Sequence, residues 1–147
     1  MLLTNEEVKK LVIAFLNAHS KAVFATIDAE GKPATSLMLY SIDDSLNVYF
    51  GTRKAFKKYD QLKQNPNIAL SVIEEKLDPL RVVDVRGVAV ELSPEEQATW
   101  HDHFKSKNTS THYVEGAEDY VMFRIHPASM RWLDASSGEL AITEVAV

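Results

Sequence analysis

With 147 residues, 46% of them hydrophobic and 25% charged, the chain has the make-up of one soluble globular domain, residues 1–147, rather than a disordered or membrane-spanning protein. It has no cysteine, which excludes disulfide scaffolds, thiolate zinc sites, iron–sulfur clusters and a cysteine nucleophile, and suits a cytoplasmic protein. A formal net charge of −5 argues against general nucleic-acid binding, and no apolar stretch is long enough to predict a secretory leader or a membrane span.

The chain opens with a helix. Thr4 and Glu7 have capping-box spacing, and Val8, Leu11, Val12, Phe15 and Leu16 share one helical face. Two extended runs follow, Ala22 to Ile27 and Pro33 to Ile42, joined by the turn Asp28 to Lys32 with its single glycine. After Asp43-Asp44-Ser45, the stretch Leu46 to Thr52 is rich in aromatic and β-branched residues and reads as a third strand.

That strand leads into the most informative stretch, FGTRKAFKKYDQL. Four of the 16 basic residues, Arg53, Lys54, Lys57 and Lys58, fall within six positions. The spacing of Phe56, Tyr59 and Leu62 predicts a helix from about Ala55 to Gln64, ended by Asn65-Pro66. The cations therefore crowd the amino end of a helix, where the dipole favours negative charge. A bound anion would turn that penalty into attraction, because the first N–H groups of a helix have no acceptor of their own. The competing reading is a solvated basic face.

Ile68 to Ile73 is a strand, Glu74 to Leu80 a connection, and Val82 to Leu92 a strand whose Gly87 suggests a bulge or barrel corner. Ser93, Pro94 and Glu96 start a helix running to about Lys105. Lys105 to Gly116 is polar and reads as an irregular excursion or lid. Tyr120 to Ile125 and Ser129 to Leu133 are the last strands, divided by His126-Pro127; the tail from Ala135 has no clear assignment. Short strands and about three helices, with no βαβ pattern, favour a mainly β, antiparallel barrel of six to seven strands.

Motif chemistry is otherwise sparse. His101 and His103 are two apart and point to different helix faces, so the five histidines suggest no metal site. Neither a serine-hydrolase elbow nor a standard nucleotide-binding loop occurs. Trp132 could face a planar ligand or fill a core, and Ser36 to Ser41 could pack in a core or flank a flavin-like ring.

In combination, ATIDAEGKPATSLMLY, VYFGTRKAFKKYDQLKQNPNIALSV, VVDVRGVAVEL and FRIHPASMRWLD resemble the pyridoxamine 5'-phosphate oxidase-like family of split barrels, over about Lys21 to Leu133. The resemblance implies a split β-barrel that binds flavin mononucleotide (FMN), most simply a flavin-dependent oxidoreductase using a small-molecule electron donor and acceptor. It implies that Lys57 and Lys58 hold the cofactor phosphate with help from Thr52, the family's aromatic position before it being Phe50. It further implies that Ser36 runs beside the flavin ring, that Val82 or its neighbour Arg81 occupies a polar family position, and that Trp132 contacts the flavin across a homodimer interface. Serines stand at Ser36 and Ser41 where the authentic oxidase has arginine and lysine, and no Arg-Leu-His segment follows Trp132. Pyridoxine 5'-phosphate oxidation is therefore not expected. The alternative is a barrel that holds flavin or haem without turnover, with His112 or His126 as a haem ligand.

Overall fold

The structure, a computed structural model, describes residues 3–108 and 117–147. Helix α1 (Asn5–Ala18) begins at the expected capping box: the Thr4 hydroxyl accepts from the Glu7 N–H at 3.2 Å, and the Thr4 N–H donates to the Glu7 carboxylate at 2.9 Å. Its apolar face, Val8, Val12, Phe15 and Leu16, is buried in the main core.

Eight strands follow in chain order, β1 (Lys21–Ile27), β2 (Pro33–Leu39), β3 (Ser41–Ile42), β4 (Val48–Arg53), β5 (Asn67–Ile73), β6 (Arg81–Glu91), β7 (Tyr120–Asp134) and β8 (Ala141–Val145). Between them lie α2 (Lys57–Gln64) and α3 (Pro94–Lys107). All recorded pairings are antiparallel, in the order β2-β1-β5-β6-β7-β4-β3, with β8 also on β7. The two ends of that path, β2 and β3, are consecutive in the chain and separated only by Tyr40. One extended run thus serves both edges of the sheet and curls it into a barrel. Beyond Tyr40 toward its own amino end, β2 pairs β1 alone, whereas β3 pairs β4; β2 and β4 diverge, and the barrel is split there.

Strand β7 is the spine. From Phe123 to Asp134 it lines up against β6 on one side, while on the other its first part pairs β4 and its last part pairs β8. The expected interruption at His126-Pro127 is instead a bulge inside one 15-residue strand, with the register shifting between Arg86 and Gly87. A Cβ on Gly87 would lie 2.3 Å from the His126 carbonyl oxygen, so only glycine permits this approach. The unassigned tail supplies β8, a short and mostly exposed strand whose weak pattern carries little signal.

Inward side chains from β1, β4, β5, β6 and β7, including Phe24, Phe50, Leu70, Val85 and Phe123, form the core. Helix α1 closes one end of the barrel and α2 the other, where the Thr26 hydroxyl donates to the Gln61 amide oxygen at 2.8 Å. Helix α3 covers the outside of β4 and β7, burying Tyr49, Leu92, Phe104 and Met122 as a second cluster. It starts at the Ser93–Glu96 capping box with Pro94 in its first turn. Of the expected excursion after it, Lys105 to Lys107 are helical; Thr109–Gly116, with His112, lie outside the described residues. Among the described residues no helix is long and apolar enough to cross a membrane.

Candidate functional site

The alternation of β4 turns Val48, Phe50 and Thr52 toward the barrel interior. Phe50 is completely buried, stacked on Phe123 at 5.5 Å and edge-on to Phe24 at 4.9 Å, so its side chain is core packing. Thr52 is 2% exposed and its hydroxyl has no hydrogen-bond partner. A buried hydroxyl in that condition costs roughly 1–3 kcal/mol.

Four residues later comes Phe56, the cap of α2, which offers no side-chain hydrogen bond to the helix. The first helical residues, Lys57 and Lys58, have backbone N–H groups that meet no acceptor among the described residues. Their side chains part company. Lys57 is exposed; Lys58 is half-buried and lies against the Met38 sulfur on β2, across the split of the barrel. No carboxylate lies within ion-pair distance of Lys58 among the described residues, and burial lowers its pKa to about 8. Ser36, two residues before Met38, shares its face of β2.

The neighbouring cations are already engaged. Arg53 donates to Asp119 at 2.7 Å, and the other oxygen of that carboxylate accepts from the Ala55 N–H at 3.0 Å. The Arg53 hydrogen bond in turn keeps the Asp119 carboxyl below its ordinary range. Arg53 therefore has a resident anion, whereas Lys57 and Lys58 have none. The link from Asp119 to Arg53 joins residues 66 apart, and nothing local in the sequence announces it.

At the opposite end of the barrel, Arg81 opens β6 and donates to Glu74 at 3.3 Å, with its Nε buried and unpartnered. Glu74 also meets His19 at 2.6 Å, the main reason its carboxyl sits below the usual value. Trp132 is 4% exposed, with its ring edge against Phe15 at 5.2 Å, and Arg81 lies 5.6 Å from that same Phe15 ring. Of the seven residues singled out from sequence, Ser36, Thr52, Lys57 and Lys58 thus flank the split beside α2. Phe50 lies in the core behind them, while Arg81 and Trp132 form a separate group with Phe15 beneath α1. Sequence reasoning placed Met38 within the Ser36 to Ser41 run without singling it out, and missed Asp119, which follows the polar excursion.

The wall of the split is mixed: a thioether and a serine on β2, a hydroxyl on β4 and two cations on α2, the last three without partner or counter-charge among the described residues. Chemically this arrangement can hold a small anion and shelter an apolar or planar group attached to it. A separate cavity of about 530 Å³ opens between α3 and the ends of β6 and β7, lined by Lys54, Glu91, Gln97, His101 and Glu118 among others.

The fold and this site define a split-barrel protein. The chain belongs to the pyridoxamine 5'-phosphate oxidase family, whose model matches residues 8–133. It is 35% identical over 75 residues to the pyridoxine/pyridoxamine 5'-phosphate oxidase of Bacteroides thetaiotaomicron, covering 50% of this chain and 34% of that protein. It is 32% identical over 88 residues to the enzyme of the same name from Paraburkholderia phymatum, covering 60% of this chain and 41% of that one. The matches thus span between a third and two fifths of those relatives' length. Among solved structures, a haem binding protein from Mycobacterium smegmatis superposes with a TM-score of 0.77 at 17% identity, over 98% of this chain and 59% of the other. At that identity the likeness is one of fold.

Proposed function

We propose that the chain binds FMN by its phosphate at the split between β2 and α2, and that a homodimer of it acts as an oxidoreductase on a small molecule. The carrying observation is Lys58: a half-buried cation facing a thioether, with no carboxylate in ion-pair distance among the described residues, while Thr52, on the strand that leads into α2, has a buried hydroxyl that also lacks a partner there. Both deficits are relieved by one ligand group. A phosphate oxygen accepts from the Thr52 hydroxyl, the charges of Lys57 and Lys58 offset its own, and the free N–H groups of α2 complete the cradle. When bound, the flavin supplies hydride or electron transfer; the protein's part is to hold and orient it. Ser36 and Met38, on the face of β2 that meets Lys58, then flank the ring.

The second copy finds support in the outer face of the sheet. Ile73, Val82, Leu133 and Ile142 form one continuous apolar rung across β5, β6, β7 and β8, and Ile73 and Ile142 are 51% and 55% exposed. Leu37 and Val23, cross-strand partners on β2 and β1, extend that apolar surface at 65% and 43% exposure. A face of this kind marks an interaction surface. The membership of the family favours another copy of the chain, with Arg81 and Trp132 next in sequence to Val82 and Leu133 of that rung.

Titration of the purified protein with FMN and with riboflavin, followed by visible absorption and fluorescence, tests the phosphate site. Replacing Lys57 and Lys58 together by Ala is expected to weaken FMN about 100-fold or more, since each charge-assisted hydrogen bond contributes roughly 1.5–3 kcal/mol. Riboflavin binding should change less than about threefold. Equal losses for both ligands, or no flavin binding by the unaltered protein, would overturn the reading; a Soret band on adding haem instead would replace it with a haem-holding module. Light scattering on Ile142→Lys, expected to give monomer where the parent gives dimer, tests the second copy.

A further inference from the structure

Lys58 combines features that do more than attract an anion. Its nitrogen is desolvated, faces a sulfur that takes no proton from it, and has no carboxylate to hold it in the ammonium form. Lys107 is as strongly desolvated, yet its nitrogen is occupied: it donates to the Leu16 carbonyl at 3.0 Å and the Tyr40 carbonyl at 3.1 Å, and lies 3.7 Å from the Tyr40 ring centroid. Lys58 is instead a half-buried amine whose recorded partner among the described residues is a weakly accepting thioether, with no carbonyl or carboxylate on it.

We propose that, when no flavin occupies the split, Lys58 captures phosphorylated aldehydes as an imine. This rests on the reading of the split as a phosphate site. The Nζ lone pair attacks the carbonyl carbon and a C–N bond forms. The carbonyl oxygen departs as water, carrying the two hydrogens of the amine, and a C=N bond remains. No oxidant or reductant is needed, and hydrolysis returns both partners. The ligand's phosphate takes the position beside Thr52 and Lys57, which raises the local concentration of its aldehyde at Lys58. Depressed lysine basicity in an apolar surrounding is the ordinary device for such capture. With its pKa near 8, Lys58 holds about two orders of magnitude more neutral amine at pH 7 than a solvated lysine. Flavin binding and aldehyde capture then exclude each other, so the flavin-free protein has a second ligand class.

The test uses the full chain freed of flavin, with pyridoxal 5'-phosphate as the probe and phosphate-free pyridoxal as its control. Brief exposure, borohydride trapping and peptide mapping then give the labelled lysine. Lys58 is expected to be labelled at least about tenfold faster than any of the other ten lysines. Inorganic phosphate should slow it, and pyridoxal should label it more slowly than its phosphate ester. Lys58→Arg should abolish that label, and a far-UV circular dichroism spectrum and urea midpoint like the parent's show that the variant is folded. Label spread evenly over exposed lysines, or label at Lys58 unaffected by phosphate, would overturn the proposal. The two readings fail separately: FMN binding with an unlabelled Lys58 sinks the capture alone, whereas phosphate-protected labelling without FMN binding sinks the flavin reading and leaves capture standing.

Discussion

Lys58 and Lys107 are both half-buried cations of this barrel, and burial lowers both to a pKa of about 8. Neither has a carboxylate within ion-pair distance among the described residues. What differs is the company each keeps. Lys107 ties the end of α3 to the last turn of α1 and to the Tyr40 junction between β2 and β3, through two backbone carbonyls and an aromatic face. Asn108 adds a bond to the same Tyr40 carbonyl, and the Tyr40 hydroxyl donates to Leu16 at 2.7 Å. That cluster gives the Lys107 nitrogen its acceptors and holds the barrel closed. Lys58 reaches across the opposite, open side of the same β2–β3 run and, among the described residues, finds Met38. The lesson is that a perturbed cation marks a binding site only where the fold has left its hydrogen-bonding capacity unused.

Replacing each lysine by Met, which keeps the apolar stem, should separate the two roles most sharply. Lys107→Met removes two charge-assisted bonds and is expected to lower stability by about 2 kcal/mol in urea unfolding, leaving flavin affinity unchanged. Lys58→Met removes an unpaired buried cation and is expected to leave stability equal or slightly raised, while weakening FMN at least about tenfold. The reverse pattern would place the binding function on Lys107 and the structural one on Lys58.

The pH dependence carries the comparison further. The folded chain releases the Lys58 proton near pH 8, whereas the unfolded chain keeps it to about 10.4. In that window the unfolded state binds more protons, so this group makes stability rise with pH. Ligand affinity moves the other way. Above about pH 8 the site must recapture a proton to meet a phosphate, and FMN affinity should fall by up to about tenfold per pH unit. Lys58→Arg, whose charge persists, should flatten that profile between pH 8 and 9.5. An unchanged slope in the arginine variant would remove Lys58 from the anion site.

Much of the fold was legible because local signals agree with it. Two capping boxes, the period-two strands and Gly87 at its bulge each state their role within a few residues. Strand β8 and the continuity of β7 through His126-Pro127 were not legible, because tertiary pairing with β6 overrides a local breaker. The site was half legible. The clash between four cations and a helix amino end pointed to an anion, but not to which cations are free. That depends on Asp119, distant in sequence, which removes Arg53, and on Met38, whose sulfur leaves Lys58 unneutralised. Trp132 shows the converse limit: an aromatic residue on a strand looks the same in sequence whether it faces a ligand or lies 4% exposed against Phe15.

The smallest expected effect is the most specific. Thr52→Val keeps the shape of a residue that is 2% exposed and deletes only a hydroxyl with no partner. Were Thr52 an ordinary core position, the change would be silent in every binding assay. If its hydroxyl is reserved for a ligand phosphate, stability should rise by about 1 kcal/mol as an unsatisfied polar group leaves the interior. FMN affinity should meanwhile fall about three- to tenfold, and riboflavin affinity should hold. Stability and affinity moving in opposite directions at one buried oxygen distinguishes a site from a packing fault, because a packing fault has nothing to lose when it is repaired. A fall in stability would show instead that the hydroxyl already has work within the protein, and Lys58 would then stand without its neighbour.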